Sequence, residues 1–343
     1  MKKQVFVAML WLCFCLSGCG RNKGQETEAA HRELFAMNTY ITINAYGENT
    51  EEALDAAQDC IGELESLWSV TDVESEIYRL NHNEGVPLQV CESTAELIQF
   101  ALAMAEKTDG ALDPTIYPVL TAWGFTTDSH RIPAQEEISR LLQSVDYKEV
   151  SVDGRTVLLP EGMQIDLGAV AKGFAGDEIT DVMRDKGVES ALISLGGNIQ
   201  AVGTKPDGEP WRIGIRSPEN TGNFAVLEVS ECAVVTSGGY QNFFTGEDGK
   251  VYHHILAPHT GEPAENGLLS ATVIGTEGKL CDALSTALFV MGEEKAAEYW
   301  QENSGFEMVL YTEQDEVIIT EGLEDAFRLN EGYEELSVRV LRR

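Results

Sequence analysis

Apolar residues recur every three or four positions in several stretches of this chain, which is the period of an amphipathic helix. Ser93 stands at the start of one such stretch and Glu96 follows three residues later, so Ser93 is the expected cap of that helix, with Gly110 closing it. The predicted helices cover residues 51–68, 93–110, 135–145, 281–292 and 293–301.

Other stretches are short, rich in β-branched and aromatic residues, and bounded by glycine, proline or polar residues, which predicts β-strands. The predicted strands cover residues 37–47, 156–160, 190–196, 211–216, 224–230, 233–237, 268–275, 307–311 and 316–320. The last two bracket residues 312–315 and predict a closing hairpin. Helices and strands alternate irregularly and without a repeat, which favours an α+β fold. We therefore expect one compact two-layered unit over residues 31–335, with mixed or antiparallel sheets and packed helices.

The first 18 residues predict a signal peptide. Two lysines precede an apolar stretch that is too short for a comfortable membrane span. Residues 16–19, LSGC, then resemble the processing site of bacterial lipoproteins, in which the cysteine is acylated; an ordinary cleaved signal peptide is the alternative. We expect a signal peptide over 1–18, a lipidated Cys19, a flexible polar tether over 19–30, and a location at the extracytoplasmic face of a bacterial cell membrane.

The charge of the chain restricts its partners. The 343 residues include 24 basic and 57 acidic side chains, which gives a formal net charge of −33. Nucleic-acid phosphates repel such a protein, so we expect no nucleic-acid partner. A phosphorylated small molecule would meet the same repulsion unless a bound cation offset it locally.

The cysteines beyond the leader are scattered, without the C-x-x-C spacing of a zinc site. Export would permit a disulfide, whereas the helical surroundings of two of them favour small buried hydrophobic residues. These cysteines are Cys60, Cys91, Cys232 and Cys281.

Two stretches combine glycine with isolated charged residues. Residues 110–118, GALDPTIYP, place Asp113 directly before a proline, which is also typical of an ordinary helix stop. Residues 165–177, IDLGAVAKGFAGD, place Asp166 and Lys172 among glycines and aliphatic side chains. Glycine lets a ligand approach the backbone closely, and the amides at a helix start favour an anion.

A third stretch, residues 252–263, YHHILAPHTGEP, contains three of the six histidines: His253, His254 and His259. The proline and glycine within it exclude a helix, and the spacing does not match a zinc-binding helix. These histidines are either a base or hydrogen-bonding group in a loop, or simply polar loop residues.

In the fourth stretch, residues 281–292, Asp282 and Thr286 lie one helical turn apart and share a face. Two oxygen ligands at this spacing suit Mg²⁺, which also keeps waters and substrate phosphate oxygens in its shell. The alternative is that Asp282 is a first-turn acid on the helix dipole and Thr286 fills the core.

Five ordered motifs resemble those of the ApbE family of FAD:protein FMN transferases: MNTYITI, GALDPTIYP, IDLGAVAKGFAGD, HHILAPHTGEP and CDALSTALFVMG. The resemblance covers roughly residues 31–325 and implies an ApbE-like, T-fold-like α+β domain. It implies that the chain binds FAD with Mg²⁺, attaches FMN to a threonine or serine of an exported or membrane flavoprotein subunit of a redox system, and releases AMP. Members of the family are commonly exported lipoproteins, which agrees with the leader.

The resemblance also implies roles for individual residues. His254 heads the H-x-x-x-P-x-T-G element and would take the proton from the acceptor hydroxyl. The magnesium ligands would be the carbonyl of Ala169 and the side chains of Asp282 and Thr286, with Ser285 beside them. The positions that would line the FAD site are Met37, Thr71, Ala111, Leu112, Asp113, Asp166, Lys172 and His259.

Two departures from the family pattern leave the reaction open. Ala257 stands where the family usually has the aspartate of H-I-I-D-P, which removes a partner for His254 or for the metal. Thr71 stands where transferases often carry tyrosine, and some relatives with a small polar residue there hydrolyse FAD to FMN and AMP. Asn38 and Tyr117 replace frequent glycines. The alternatives to the transferase are a Mg²⁺-dependent FAD pyrophosphatase and a lipid-anchored FAD-binding protein without turnover.

Overall fold

The structure is a computed structural model that describes residues 29–127, 129–219 and 222–343. The predicted signal peptide and the predicted lipidation site, Cys19, lie outside the described residues. Within them the α-helices are α1 (Thr50–Trp68), α2 (Glu76–Asn81), α3 (Glu92–Lys107), α4 (Tyr117–Trp123), α5 (Gln135–Leu141), α6 (Ala171–Asp185) and α7 (Gly278–Glu302).

The strands belong to one large sheet and several small ones. They are β1 (Ala30–Ala36), β2 (Thr39–Tyr46), β3 (Leu88–Gln89), β4 (Ser151–Asp153), β5 (Thr156–Leu158), β6 (Ser190–Leu195), β7 (Asn198–Val202), β8 (Trp211–Arg216), β9 (Asn223–Val229), β10 (Cys232–Gly238), β11 (Phe243–Thr245), β12 (Val251–His253), β13 (Leu256–Ala257), β14 (Glu262–Pro263), β15 (Leu268–Gly275), β16 (Phe306–Thr312), β17 (Glu316–Thr320), β18 (Phe327–Leu329) and β19 (Ser337–Leu341).

Among the described residues, the large sheet has nine strands in the order β1-β2-β6-β7-β10-β15-β16-β17-β19. Its neighbouring strands are antiparallel, except that β17 and β19 run parallel. The predicted closing hairpin is β16–β17. The expected α+β fold with a mixed sheet is confirmed.

Both faces of the large sheet are buried, which explains why its central strands are nearly continuous apolar runs. On β15, Val273 belongs to the core under helices α1, α6 and α7, whereas Ile274 belongs to a second core on the opposite face. The small sheet β18-β9-β8 covers that second core, which includes Trp211 and Phe224. The structure therefore adds a third layer to the expected helix-on-sheet arrangement.

Several details differ from the sequence-based expectation. Helix α3 begins at Glu92 with Cys91 in the N-cap position, so Ser93 lies inside the first turn and is not the cap. The Cys91 N–H instead donates to both carboxylate oxygens of Glu76, at 2.9 and 3.0 Å. By contrast, the two helices predicted after residue 280 are confirmed: they meet at Gly292, whose non-helical backbone, with φ of 78°, divides α7.

The edges of the domain are also placed by pairing. Strand β1 pairs with β2 from Ala30 onward, and β19 pairs with β17 beyond residue 335.

The four cysteines of the described ranges are free, and Cys281 is fully buried. No helix in these ranges is both long and apolar enough to cross a membrane.

Candidate active site

The loop that carries Asp166 is held by two elements that are distant in sequence. The Asn81 side chain at the end of α2 donates to the Ile165 carbonyl and accepts from the Ile165 N–H, both at 2.8 Å. The Asp166 N–H donates to the carbonyl of Pro114 at 2.8 Å. These bonds join the GALDP and IDLG motifs, which the sequence separates by about fifty residues, into one side of a site.

Lys172 lies among charged and titratable groups of several motifs. Its Nζ donates to the carbonyl of Gly168 at 3.0 Å. Burial raises the pKa of both Asp166 and Asp282, and the positive charge of Lys172 opposes that rise at each of them. The same charge contributes to lowering the pKa of His254. The structure therefore brings the three stretches with Asp166–Lys172, His254 and Asp282 together around one ammonium group.

His254 follows strand β12 and is held by a single backbone carbonyl. Its N–H donates to the carbonyl of Asn242 at 3.1 Å, and its Nδ1 lies 3.1 Å from the same oxygen. A carbonyl only accepts, so Nδ1 carries the proton and Nε2 has a free lone pair. Burial, with smaller contributions from His253 and Lys172, lowers the pKa of His254 to about 4. At neutral pH the imidazole is therefore an uncharged base. The carbonyl of Asn242 orients it, although Ala257 replaces the aspartate that could have partnered His254.

Hydroxyl oxygens of α7 meet the end of strand β10, and a carboxylate of α7 meets the first turn of α6. The Ser237 hydroxyl lies 2.8 Å from that of Ser285 and 3.2 Å from that of Thr286. The Asp282 carboxylate is 3% exposed, and its Oδ2 accepts the Gly173 N–H at 2.8 Å. Ser237 was not among the predicted site residues, although its place as the last residue of the predicted strand 233–237, directly before two glycines, was a usable signal.

The donor set of this cluster fits a magnesium ion. It contains only oxygen atoms, and the buried carboxylate of Asp282 would gain from a nearby cation because burial disfavours its charged form. Among the described residues, the Nδ2 atom of Asn198 is buried without a hydrogen-bond partner. In the described ranges no group of three His, Cys, Asp or Glu side chains is arranged to hold a metal ion, so a cation here would rely on hydroxyl and carbonyl oxygens too.

Ala169 lies in the turn that leads into α6, close to the point where α6 contacts Asp282. The turn is partly buried against the helix-side core. Gly173, four residues later, is the residue whose N–H meets the Asp282 carboxylate. The turn and the first part of α7 are therefore neighbours, as a shared metal site would require.

Met37 occupies the tight turn between β1 and β2. Met37 and Asn38 both have left-handed backbones, with φ of 50° and 57°, a strained conformation for residues other than glycine. The Met37 N–H donates to Oε1 of Glu65 at 2.7 Å, which ties the turn to the end of α1. The methionine side chain is partly exposed and packs against the helix-side core.

The GALDP loop is buried and well bonded. Asp113 Oδ1 accepts from the N–H and the hydroxyl of Thr115 at 2.8 and 2.6 Å, and Oδ2 accepts from the Tyr147 N–H at 3.2 Å. Ala111 and Leu112 are buried beside it. The Asp113 carboxylate is therefore committed to shaping the loop, and its contribution to a ligand site would come through the backbone it fixes.

His259 and Thr71 lie at the margin of these elements. His259 is exposed, and its ring stands against Gly110, where an added Cβ would lie 3.4 Å from the ring carbon Cε1. Thr71 is exposed in the loop between α1 and α2, and its hydroxyl lies 3.3 Å from that of Ser69. That loop starts directly after Trp68, which packs edge-to-face on Phe174 of α6.

Comparisons with known proteins agree with the five motifs. Residues 37–310 match the ApbE family. The FAD:protein FMN transferase of Treponema pallidum is 32% identical over 349 aligned positions, which cover 95% of each chain. The FAD:protein FMN transferase of Escherichia coli K12 is 30% identical over 310 positions, which cover 85% of this chain and 88% of that protein.

Solved structures show the same similarity. The crystal structure of the ApbE protein of Thermotoga maritima has a TM-score of 0.79 at 31% identity and covers 90% of this chain and 99% of that chain. The flavin transferase ApbE of Vibrio cholerae has a TM-score of 0.75 at 26% identity and covers 89% of this chain and 97% of that chain. The expected fold is confirmed over nearly the whole described chain.

Proposed function

The chain belongs to the ApbE family, and from this premise we propose that it transfers FMN from FAD to a hydroxyl group of a target protein and releases AMP. The relatives from Treponema pallidum and Escherichia coli are FAD:protein FMN transferases. The observation that carries the proposal is the uncharged, oriented His254 beside Lys172 and the two carboxylates Asp166 and Asp282.

His254 would take the proton in the chemical step. The acceptor hydroxyl gives its proton to Nε2 while its oxygen attacks the FMN-side phosphorus of FAD. A new phosphoester bond forms, the bond between that phosphorus and the bridging oxygen breaks, and AMP leaves with the bridging oxygen. The ammonium of Lys172 supplies positive charge close to this chemistry, which a protein with a net charge of −33 needs in order to hold a pyrophosphate.

Magnesium is part of the proposal. When bound, it would neutralise charge on the pyrophosphate and on the departing AMP. The residues that would hold it are Ala169 through its carbonyl, Asp282 and Thr286 through their side chains, and Ser285 beside them. Ser237 joins this set because its hydroxyl contacts both Ser285 and Thr286.

One assay separates the proposal from its alternatives. The protein is incubated with FAD, Mg²⁺ and a candidate acceptor, namely an exported or membrane flavoprotein subunit of a redox system with a reactive threonine or serine. Covalent flavin on the acceptor supports the transferase. Free FMN and AMP in equal amounts would support a pyrophosphatase, and intact FAD would support a binding protein. The exposed Thr71 favours the pyrophosphatase as the second candidate, because it leaves room for water.

We expect Thr71→Tyr to shift the products toward transfer. If a ring at this position shields the FMN-side phosphate, it excludes the water that would hydrolyse FAD. A tenfold change in the product ratio corresponds to about 1.4 kcal/mol of differential barrier, which one side chain can supply. Free FMN and protein-bound flavin are measured at saturating FAD.

Val73→Tyr is the matched control, because it adds the same ring to the same loop at a side chain that is 58% exposed. A ratio that stays unchanged in Thr71→Tyr, or that shifts equally in both variants, would show that Thr71 does not control water access. Ala257 would then be the next position to test.

We further propose that the protein is lipid-anchored through Cys19 at the extracytoplasmic face of the membrane. The support is the LSGC sequence after the apolar leader. Cys19→Ser is expected to block processing or to release the protein into the soluble fraction, whereas Cys15→Ser, inside the leader, leaves both unchanged. Fractionation followed by mass measurement of the mature protein checks this. If the Cys19→Ser variant is still processed and still associates with the membrane, although it carries no acyl chain, Cys19 is not the lipid anchor.

A further inference from the structure

The N-terminal turns of α6 and α7 touch through two glycines. A Cβ added to Gly173 would lie 2.6 Å from the Cβ of Asp282, and a Cβ added to Gly278 would lie 2.7 Å from the carbonyl oxygen of Gly173. Contacts this short leave no room for any side chain. Because the two backbones meet directly, a short side chain of one helix can reach the N–H groups of the other.

Each helix supplies a carboxylate to the start of the other. Asp177 of α6 accepts the Gly278 N–H at 2.6 Å and the Lys279 N–H at 3.0 Å. Asp282 of α7 accepts the Gly173 N–H at 2.8 Å in return. Neither helix has a side-chain hydrogen bond from its own N-cap residue. Since the first N–H groups of a helix lack partners within the helix and carry partial positive charge, the exchange satisfies both ends at once.

A third group holds Asp177 in place. The Gln200 side chain on strand β7 donates to its Oδ1 at 3.1 Å. Two backbone N–H groups and one amide therefore bind this one carboxylate, in charge-assisted hydrogen bonds that are stronger than neutral ones. Asp177 thus links α6, α7 and the large sheet at one point.

Asp177 is separate from the proposed FAD and metal residues. It lines a surface cavity of about 290 Å³, whose other lining residues include Asp181, Gln200 and Lys279. None of these lining residues belongs to the proposed catalytic, cofactor or metal set. Asp177 can therefore act on that set only through the positions of the two helices it joins, α6 and α7.

We propose that Asp177 is a positioning residue for the metal site. The proposed ligands come from both sides of the helix pair, Ala169 from the turn before α6 and Asp282 with Thr286 from α7. By fixing where α7 starts relative to α6, Asp177 sets the separation of these ligands. The identity of the metal ligands rests on the proposed function. The connection between α6 and α7 rests on the hydrogen bonds of Asp177 and Asp282.

The test measures metal binding directly, on the full processed chain without FAD. Calorimetric titration with Mg²⁺ is compared among the wild type, Asp177→Ala and Asp177→Asn. Loss of a partner that orients metal ligands typically weakens metal affinity about 10- to 100-fold. We expect such a rise in the Mg²⁺ dissociation constant for Asp177→Ala and a smaller rise for Asp177→Asn, which keeps one acceptor oxygen. If the alanine variant does not fold, the asparagine variant decides the question.

The control is Asp181→Asn, an exposed acid one turn further along α6 in the same cavity, for which we expect wild-type affinity. Wild-type Mg²⁺ affinity in the Asp177 variants, even with a lower Tm, would reduce Asp177 to a helix cap and overturn the inference. A wild type that binds no Mg²⁺ would overturn it as well.

The FMN transfer assay is run separately on the same proteins. In one outcome, the wild type transfers FMN and the Asp177 variants bind Mg²⁺ with wild-type affinity. This result leaves the proposed function intact and contradicts only the positioning role of Asp177. In another outcome, the Mg²⁺ affinity falls as expected in the Asp177 variants, but the wild type never attaches flavin to an acceptor. This result supports the positioning role and contradicts only the proposed function.

Discussion

Replacing His254 with alanine is expected to lower the rate of FMN transfer by about 10²- to 10⁴-fold, which is the usual contribution of a general base. FAD should still bind, because the neighbouring Lys172 and Asp166 remain. The measurement is the rate at which covalent flavin appears on the acceptor, together with FAD affinity from flavin fluorescence. His31→Ala is the control, since this histidine lies on the edge strand β1 and pairs with Glu33.

The pH dependence of the wild type tests the same assignment. The base must be uncharged, and burial lowers the pKa of His254 from 6.5 to about 4, so a proton occupies Nε2 only in clearly acidic solution. We therefore expect kcat/KM to stay level from neutral pH down to about pH 5 and to fall as the pH approaches 4. A fall centred near 6.5, or a His254→Ala variant with near-normal rates, would contradict the assignment.

Replacing Asp282 with alanine is expected to lower Mg²⁺-dependent turnover by orders of magnitude. Asp282 is the one charged side chain in the proposed ligand set, and its carboxylate also accepts the Gly173 N–H, so the alanine variant loses both interactions. Turnover is measured over a range of Mg²⁺ concentrations. Near-normal activity at limiting Mg²⁺ would show that the metal assignment is wrong.

Asp282→Asn separates the two roles of this carboxylate. An amide oxygen can still accept the Gly173 N–H, but it carries no charge for a cation. Burial raises the pKa of Asp282, so the ionised form costs free energy in the metal-free protein and the neutral amide removes that cost. Without metal we expect the asparagine variant to have a Tm at least equal to that of the wild type.

With Mg²⁺ the order should reverse. A ligand at 100 times its dissociation constant stabilises the folded state by about 2.7 kcal/mol, so the wild-type Tm should rise. The Tm of Asp282→Asn should not respond, while Asp185→Asn, an exposed acid at the end of α6, should respond like the wild type. Equal Mg²⁺-dependent shifts in the wild type and in Asp282→Asn would place the metal elsewhere.

Regular elements with a strong period were predictable. Helix α1 and strand β15 lie where the apolar pattern predicted them. Burial of one helical face gives apolar residues at a helical period, and burial of both faces of a central strand gives a short apolar run. The strands that were not predicted are β1, β3, β4, β7, β11–β14, β18 and β19. They are short, or at an edge, or polar on one side, and their pairing partners rather than their own residues make them strands.

The cap of α3 shows how tertiary contacts override a local signal. The pattern of Ser93 and Glu96 is a valid capping sequence, but the helix starts earlier at Glu92. The Glu76 carboxylate from α2 binds the Cys91 N–H and supplies an acceptor next to the helix start from outside. No reading of residues 91–96 by themselves could have revealed that contact.

The sequence by itself determined the family, the α+β class and the chemical residue types of the site. Helical spacing placed Asp282 and Thr286 on one face, since residues four apart in a helix are neighbours whatever surrounds them. It could not determine which groups these side chains meet. Gly173, which binds Asp282, is 109 residues away, and Asn242, which orients His254, is held there by the β11–β12 hairpin. Such partners are decided by how the helices and strands pack, because hydrogen bonds between distant segments form only after packing has brought the segments together.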